Sequence, residues 1–164
     1  MSDIFKECQL AYVIDTDSSP TIYPASTPEE GQATIDALGV LKEHGLDGAR
    51  QHLMQSSSFI NKKQWPQSVH ESISAVESVA RQIAPGTNTS GVALNQVRRD
   101  GLLEHRALEQ GLGNIYGYTS DEQGVRHSLL DQGQSNVGQD EAVFMLGACA
   151  SFASYLWRKH LGAT

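Results

Sequence analysis

The sequence predicts a mainly α-helical protein in which one helical bundle follows a short N-terminal β-hairpin. Apolar residues recur at spacings of three and four along three long stretches, as they do in helices that bury one face. A chain of 164 residues is long enough for one domain with a core and too short for two ordinary domains with a linker. We therefore expect an N-terminal arm with the hairpin over residues 1–27 and a helical domain over residues 28–164.

The hairpin is the first predicted element. Residues 12–14 and 21–23 are β-prone runs on either side of an Asp-, Ser- and Pro-rich stretch that favours a turn. Residues 26–30 then read Ser-Thr-Pro-Glu-Glu, which combines a capping hydroxyl, an early proline and acidic residues in the first turn. This pattern predicts a helix that begins there and ends near Gly45.

The remaining helices follow from apolar spacing and from glycine and proline as breakers. We expect a helix over residues 46–61, and a sharper one from Trp65 that Pro85 and Gly86 end. Shorter helices are predicted over residues 92–97, 106–116 and 122–130, the second of them interrupted by the glycines at 111, 113 and 117. The clearest pattern is the last, which runs over residues 140–161 with acidic residues at its start and basic ones at its end.

Composition narrows the classes of function. The net charge of -7 argues against a broad nucleic-acid surface, so any RNA contact must be local. No apolar run approaches the roughly 20 residues that span a bilayer, and the first residues lack a signal-peptide pattern, so we expect a cytoplasmic protein without membrane contact. Cys8 and Cys149 lie far apart without metal-ligand spacing, and no phosphate loop or nucleotide motif is present. The sequence therefore predicts reduced thiols, no metal and no cofactor.

One polar edge runs along the helix that begins at Trp65. His70, Ser74, Glu77 and Arg81 step by four, three and four residues, and Glu77 is placed to pair with Arg81 one turn later. A solvated helix face accounts for the same pattern. The same residues also allow an enzyme site in which His70, Ser74 and Glu77 act on a small molecule.

Residues 116–131 gather two tyrosines, several acids, an arginine and a histidine. The imidazole of His127 could take the proton of an RNA 2′-hydroxyl while the guanidinium of Arg126 stabilises charge on the phosphate. Adjacent residues on a helix point about 100° apart, so both facing one ligand requires a distorted turn or a site between two subunits. An arginine that anchors a helix beside a buried histidine explains the pair equally well. Arg99 followed by His105 is a second arginine and histidine pair, at a spacing that chance also produces.

The order of these features resembles a known family. The matching blocks read ESISAVESV at 71–79, YGYTSD at 116–121, GVRH at 124–127, LLD at 129–131 and FMLGACASF at 144–152, after the hairpin and the helix start at 26–30. Together they resemble the HEPN-like C-terminal domain of abortive-infection phage-defence proteins, over about residues 10 to 160. The resemblance implies a HEPN-like bundle of four to five helices, commonly dimeric, in a defence or toxin–antitoxin system that acts on RNA.

The resemblance also implies site residues. Carried over residue by residue, the catalytic candidates are Arg126, His127, Asp121 and Glu77, and the substrate-binding candidates are Tyr118 and Glu71. Arg81, from the polar edge of the helix that begins at Trp65, is a further substrate-binding candidate. The sequence departs from the best-known HEPN ribonuclease pattern, because His127 follows Arg126 directly instead of four to six residues later.

Besides the enzyme site for a small molecule, the sequence leaves two interpretations of function. In the first, the chain is a homodimeric defence module that acts on RNA as a metal-independent endoribonuclease, with a partner defence protein or antitoxin. In the second, it is a non-catalytic, dimerising helical module that binds or senses a partner protein, with Arg126 and Tyr118 holding the glycine-rich loop in place.

Overall fold

A computed structural model describes residues 12–15, 21–87, 90–99, 101–103, 105–118 and 137–163. Within them the fold is mainly helical, as predicted. Two strands come first, β1 (Tyr12–Asp15) and β2 (Thr21–Pro24). Six helices follow in this part of the chain: α1 (Pro28–Glu43), α2 (Asp47–Asn61), α3 (Trp65–Ile83), α4 (Ser90–Arg99), α5 (Arg106–Tyr118) and α6 (Gln139–Ala163).

The two strands pair antiparallel, with Val13 opposite Tyr23 and Ile14 opposite Ile22. The turn of the predicted hairpin, residues 16–20, and the predicted helix over residues 122–130 lie outside the described residues. Tyr23 is fully buried and belongs to the same core as the helices. The second strand is therefore part of the bundle's packing.

The start of α1 has the capping geometry that the sequence predicts. The Thr27 hydroxyl accepts a hydrogen bond from the Glu30 backbone N–H at 3.2 Å, and the Ser26 N–H donates to the Glu30 carboxylate at 2.6 Å. These contacts satisfy backbone donors that a helix N-terminus leaves without partners. Pro28 occupies the first turn, where its missing N–H is not needed.

Helices α1 and α2 end in the same type of reverse turn, built on different residues. Gly45 has a φ of 68°, and the next N–H, of Leu46, donates to the Leu41 carbonyl at 2.8 Å. At the end of α2 the same left-handed position is held by Lys63, with a φ of 58°. Glycine adopts this conformation without strain, whereas a residue with a Cβ costs about 1–2 kcal/mol there.

Helix α3 lies at the centre of the bundle and contacts α2, α4 and α6. Its predicted apolar stripe is confirmed, because Val69, Ile73, Val76 and Val79 are all buried. Helix α6 buries Leu146, Cys149, Ala153 and Leu156 against the same core, while α1 adds Leu38 and Leu41. Burial raises the pKa of the Cys149 thiol to about 12, so this thiol is protonated at neutral pH. Cys8 lies outside the described residues.

The seam between α2 and α3 is built from small polar residues. The Ser56 hydroxyl lies 2.9 Å from that of Ser68 and 2.8 Å from that of Ser72, and all three residues are fully buried. Gly48 lies against Ser78, whose Oγ would be 3.0 Å from a Cβ at position 48. Side chains this small let the two helix backbones approach closely. The buried hydroxyl groups form hydrogen bonds with one another.

Helix α5 corrects one prediction. The glycines at 111, 113 and 117 were expected to interrupt it, yet the helix is continuous from Arg106 to Tyr118. Isolated glycines weaken a helix by roughly 1 kcal/mol each without blocking it, and Leu112, Ile115 and Tyr116 hold this one by packing against the core. Before this helix the chain turns at Gly101, which has a φ of 75° between α4 and α5. Among the described residues, no helix is long and apolar enough to cross a membrane.

Candidate functional site

The structure describes four of the seven candidate site residues. Glu71, Glu77 and Arg81 lie on α3, and Tyr118 is the last residue of α5. Asp121, Arg126 and His127 lie outside the described residues. Their predicted roles stay predictions.

Glu77 faces α5. Its Oε1 accepts a hydrogen bond from the Tyr116 hydroxyl at 3.0 Å, across 39 residues of chain. The predicted ion pair between Glu77 and Arg81 is absent, and Arg81 is exposed. This correction has a simple cause. The tyrosine offers Glu77 a partner in a half-buried place, whereas an exposed pair one turn apart contributes only about 0.3–0.5 kcal/mol.

Glu71 faces α2 instead. Its Oε2 lies 2.7 Å from Nδ1 of His52, and its Oε1 lies 4.0 Å from Nδ1 of His70. The carboxylate is more buried than either imidazole, with 18% of its side chain exposed against 32% for His52 and 52% for His70. A carboxylate that fixes Nδ1 of a histidine leaves Nε2 as the nitrogen available for proton transfer or binding.

Sequence reasoning missed His52. The signal that could have found it is the tight turn at Lys62 and Lys63, which joins two antiparallel helices. Residues at similar distances before and after such a turn face one another, and His52 and Glu71 are such a pair. Periodicity along a single helix carries no information on this kind of contact.

The structure does not bring Glu71 and Glu77 together. Six residues along a helix correspond to a rotation of about 240°, so the two carboxylates leave α3 on different sides. Glu71 meets α2 and Glu77 meets α5. They cannot act as one pair of carboxyl groups on a single reacting atom.

Tyr118 lies at an open groove between α5 and α6. The groove has a volume of about 500 Å³ and is lined by Asn114, Ile115, Tyr118, Glu141, Phe144 and Met145. Burial, and secondly the negative charge of Glu141, raise the pKa of the Tyr118 phenol. The phenol is therefore a hydrogen-bond donor at neutral pH. Phe144 is 58% exposed, the largest exposed fraction of any large apolar side chain that the structure describes.

In the second arginine and histidine pair, Arg99 and His105, the histidine has a structural role. His105 precedes α5, and its Nδ1 accepts a hydrogen bond from the Ala107 N–H at 3.2 Å. This contact satisfies a backbone donor at the helix start. Arg99 is exposed at the end of α4.

The described side chains of the candidate site form hydrogen bonds with one another, and none of them forms a metal centre. No group of three His, Cys, Asp or Glu residues in the described part of the chain is arranged to hold a metal ion. Among the described residues, hydrogen bonds join Glu77 to Tyr116 and Glu71 to His52, and the charge of Glu141 acts on Tyr118 across the groove. No protein-family model, no curated protein and no solved structure matches the chain.

Proposed function

We propose that the chain is a HEPN-like abortive-infection module that acts on RNA in the bacterial cytoplasm as a homodimeric, metal-independent endoribonuclease. One observation carries the proposal. Three of the sequence blocks that suggest it meet in space, since Glu77 from the first block bonds Tyr116 from the second, and Tyr116 lines a cavity together with Phe152 from the last. Distant segments that carry a shared pattern and also contact one another support a common site.

The chemistry rests on the segment that follows α5. Asp121, Arg126 and His127 come within nine residues of Tyr118 along the chain. In the proposed step, His127 takes the proton of a 2′-hydroxyl, whose oxygen then attacks the adjacent phosphorus. The bond to the 5′-oxygen breaks, that oxygen takes up a proton from water, and a 2′,3′-cyclic phosphate remains. Arg126 stabilises the charge that develops on the phosphate oxygens.

The described residues have supporting roles in this proposal. Glu77 holds Tyr116, and so fixes the end of α5 from which the segment with the catalytic candidates continues. Tyr118 offers a protonated phenol at the same helix end, suited to donate to a phosphate oxygen. Glu71 lies on another side of α3, whereas exposed Arg81 follows Glu77 by one turn on the same face and is placed to contact the RNA backbone. Because Arg126 and His127 are adjacent, a site shared between two subunits allows one chain to supply each group.

The test is expression in bacteria of the wild type and of the Arg126→Ala/His127→Ala double variant. We expect growth arrest with RNA cleavage for the wild type, and loss of both for the variant at equal protein level and unchanged melting temperature. The pair Arg99→Ala/His105→Ala is the matched control, since it also removes one arginine and one histidine. Arrest that persists in the first variant and disappears in the control would transfer the site to the control pair.

A second function is a non-catalytic helical module that dimerises and binds a partner defence protein or antitoxin. The groove between α5 and α6 favours this second function, because Phe144 and Tyr118 are exposed at its rim and most of its lining surface is apolar. Under this function the wild type leaves RNA intact. Phe144→Asp then reduces dimerisation or partner capture in light scattering. Leu161→Asp, at another exposed apolar residue of the same helix, does not.

A further inference from the structure

A cavity lies on the side of α3 that faces away from α2. It has a volume of about 160 Å³ and is bounded by α3, α4, α5 and α6. Most of its wall is aliphatic or aromatic, and the main contributors are Ile73, Val76, Leu103, Leu112, Phe152 and Leu156. Protein cores are packed as densely as organic crystals, with few voids larger than a water molecule. This cavity is partly open to the surface, since Asn95 in its wall is exposed.

Gly113 is a residue of the cavity wall that has no side chain. This residue lines it, and a Cβ at position 113 would have no atom within 4 Å. The neighbouring helix α5 has no fully buried residue along its whole length. One wall of the cavity is thus a helix whose residues are at most partly buried. This wall gives a small molecule a route into the core.

The polar atoms at the cavity define what fits. Asn95 and Glu109 contribute to the lining, and the hydroxyl of Tyr116 is already donated to Glu77. A carboxylate beside an apolar wall disfavours an anion, and the aliphatic surface disfavours a strongly hydrated molecule. The ligand that fits is uncharged and mainly apolar, with room for one hydrogen-bond donor toward Glu109.

We propose that this cavity is a binding site for an uncharged, mainly apolar molecule between benzene and indole in size. An engineered cavity of about 150 Å³ with a lining of Leu, Ile and Phe stays dry and binds benzene, which sets the scale. The ligand contacts Tyr116 directly, so its binding is sensed at the contact that holds Glu77. Binding itself does not depend on RNA cleavage.

Benzene is the probe for the test, added to the purified full-length chain with isotope-labelled methyl groups. We expect saturable binding with a dissociation constant on the order of 1 mM, and shifts confined to methyls of the cavity wall such as Val76, Leu112 and Leu156. Gly113→Leu fills the space with a side chain and should weaken benzene binding by about tenfold or more. Gly111→Leu makes the same change two residues earlier in α5, outside the cavity, and should bind benzene as the wild type does.

Gly113→Ala is the second variant, in case Gly113→Leu does not fold. It adds one methyl group and should weaken binding by a smaller factor, about threefold. The proposal is overturned if the wild type shows no saturable shift at 10 times the expected dissociation constant, or if benzene binds equally to the wild type and to a folded Gly113 variant. Either result leaves the proposed action on RNA untouched, because that is measured without a cavity ligand.

Discussion

The two sides of α3 are packed in opposite ways. Toward α2, three buried serines satisfy one another and Gly48 lies against Ser78 with no room to spare. Toward α5, the core contains a cavity of about 160 Å³, and Gly113 stands at its wall with no atom within 4 Å of a Cβ. Small residues bring two helices together on the first side and keep a space open on the second.

The difference indicates where function is expected. A seam with dense packing and satisfied hydroxyl groups fixes the position of α2 and α3 but leaves no freedom to respond to a ligand. Regions that bind or move are drawn from the less tightly packed parts of a protein. Glu77 and Tyr118 lie on the open side and Glu71 on the dense side. We therefore expect Glu77 to matter more for activity and Glu71 more for stability.

The largest expected effect is on the dense side. Ser56→Leu places a branched side chain where three hydroxyl groups meet, and it should lower the free energy of unfolding by about 3 kcal/mol or more. Urea unfolding followed by circular dichroism measures it. Ser151→Leu, at an exposed position of α6, should change stability by less than about 0.5 kcal/mol. Equal effects of the two substitutions would contradict the dense seam.

On the open side, Tyr116→Phe removes the hydrogen bond to Glu77 and should cost about 1.5 kcal/mol, since the acceptor is charged and half-buried. The double variant with Glu77→Gln tests whether the two residues act together. Its loss of stability should be smaller than the sum of the two single losses. Full additivity would show that the contact contributes nothing, and RNA cleavage measured on the same variants reports its proposed role in activity.

Filling the open side should stabilise the protein. Gly113→Ala gains about 1 kcal/mol from helix propensity, and its methyl group clashes with no neighbouring atom. Gly48→Ala should gain less, since its Cβ would lie 3.0 Å from the Ser78 hydroxyl. Thermal unfolding of the two variants compares the two sides directly. A larger gain at position 48 would reverse the comparison.

The smallest expected effect is a change of pKa at the groove. Burial and then the charge of Glu141 raise the pKa of Tyr118, so the neutral phenol is favoured in the fold. The stability that it contributes is fully present below the ordinary tyrosine pKa and is lost as pH rises through the raised one. Glu141→Gln should lower the pKa of Tyr118 without returning it to its ordinary value, because burial is the larger cause. A pH titration of the labelled Tyr118 ring by NMR follows the change, and a return to the ordinary value would contradict this order of causes.

Local chemistry explains how much of the fold could be predicted. The start of α1 follows from Thr27 and Pro28, which act within one turn of helix, and the stripe of α3 follows from apolar spacing. The continuity of α5 was not predicted, because glycine spacing suggests a break and only tertiary packing of its apolar residues prevents one. The left-handed conformation of Lys63 was not predicted either, since lysine has no local preference for it.

The candidate site was less predictable, because its contacts join different helices. The sequence places Glu77 beside Arg81 on one helix face, while the structure gives it Tyr116 from another helix. His52 was absent from the predicted site because nothing near it in sequence distinguishes it from other exposed histidines. Pairings of this kind depend on which helices become neighbours, and periodicity gives only the face that each helix buries.

The hydrogen bonds between β2 and α2 also oppose aggregation through the edge of the sheet. A two-stranded sheet has free edges on which strands of other molecules can add. The carbonyl of Ile22 in β2 instead accepts a hydrogen bond from the Ser57 hydroxyl at 2.7 Å and one from the Asn61 amide at 3.3 Å. A helix thus occupies the acceptor that a third strand would require at Ile22, which opposes strand addition at that point of the described sheet.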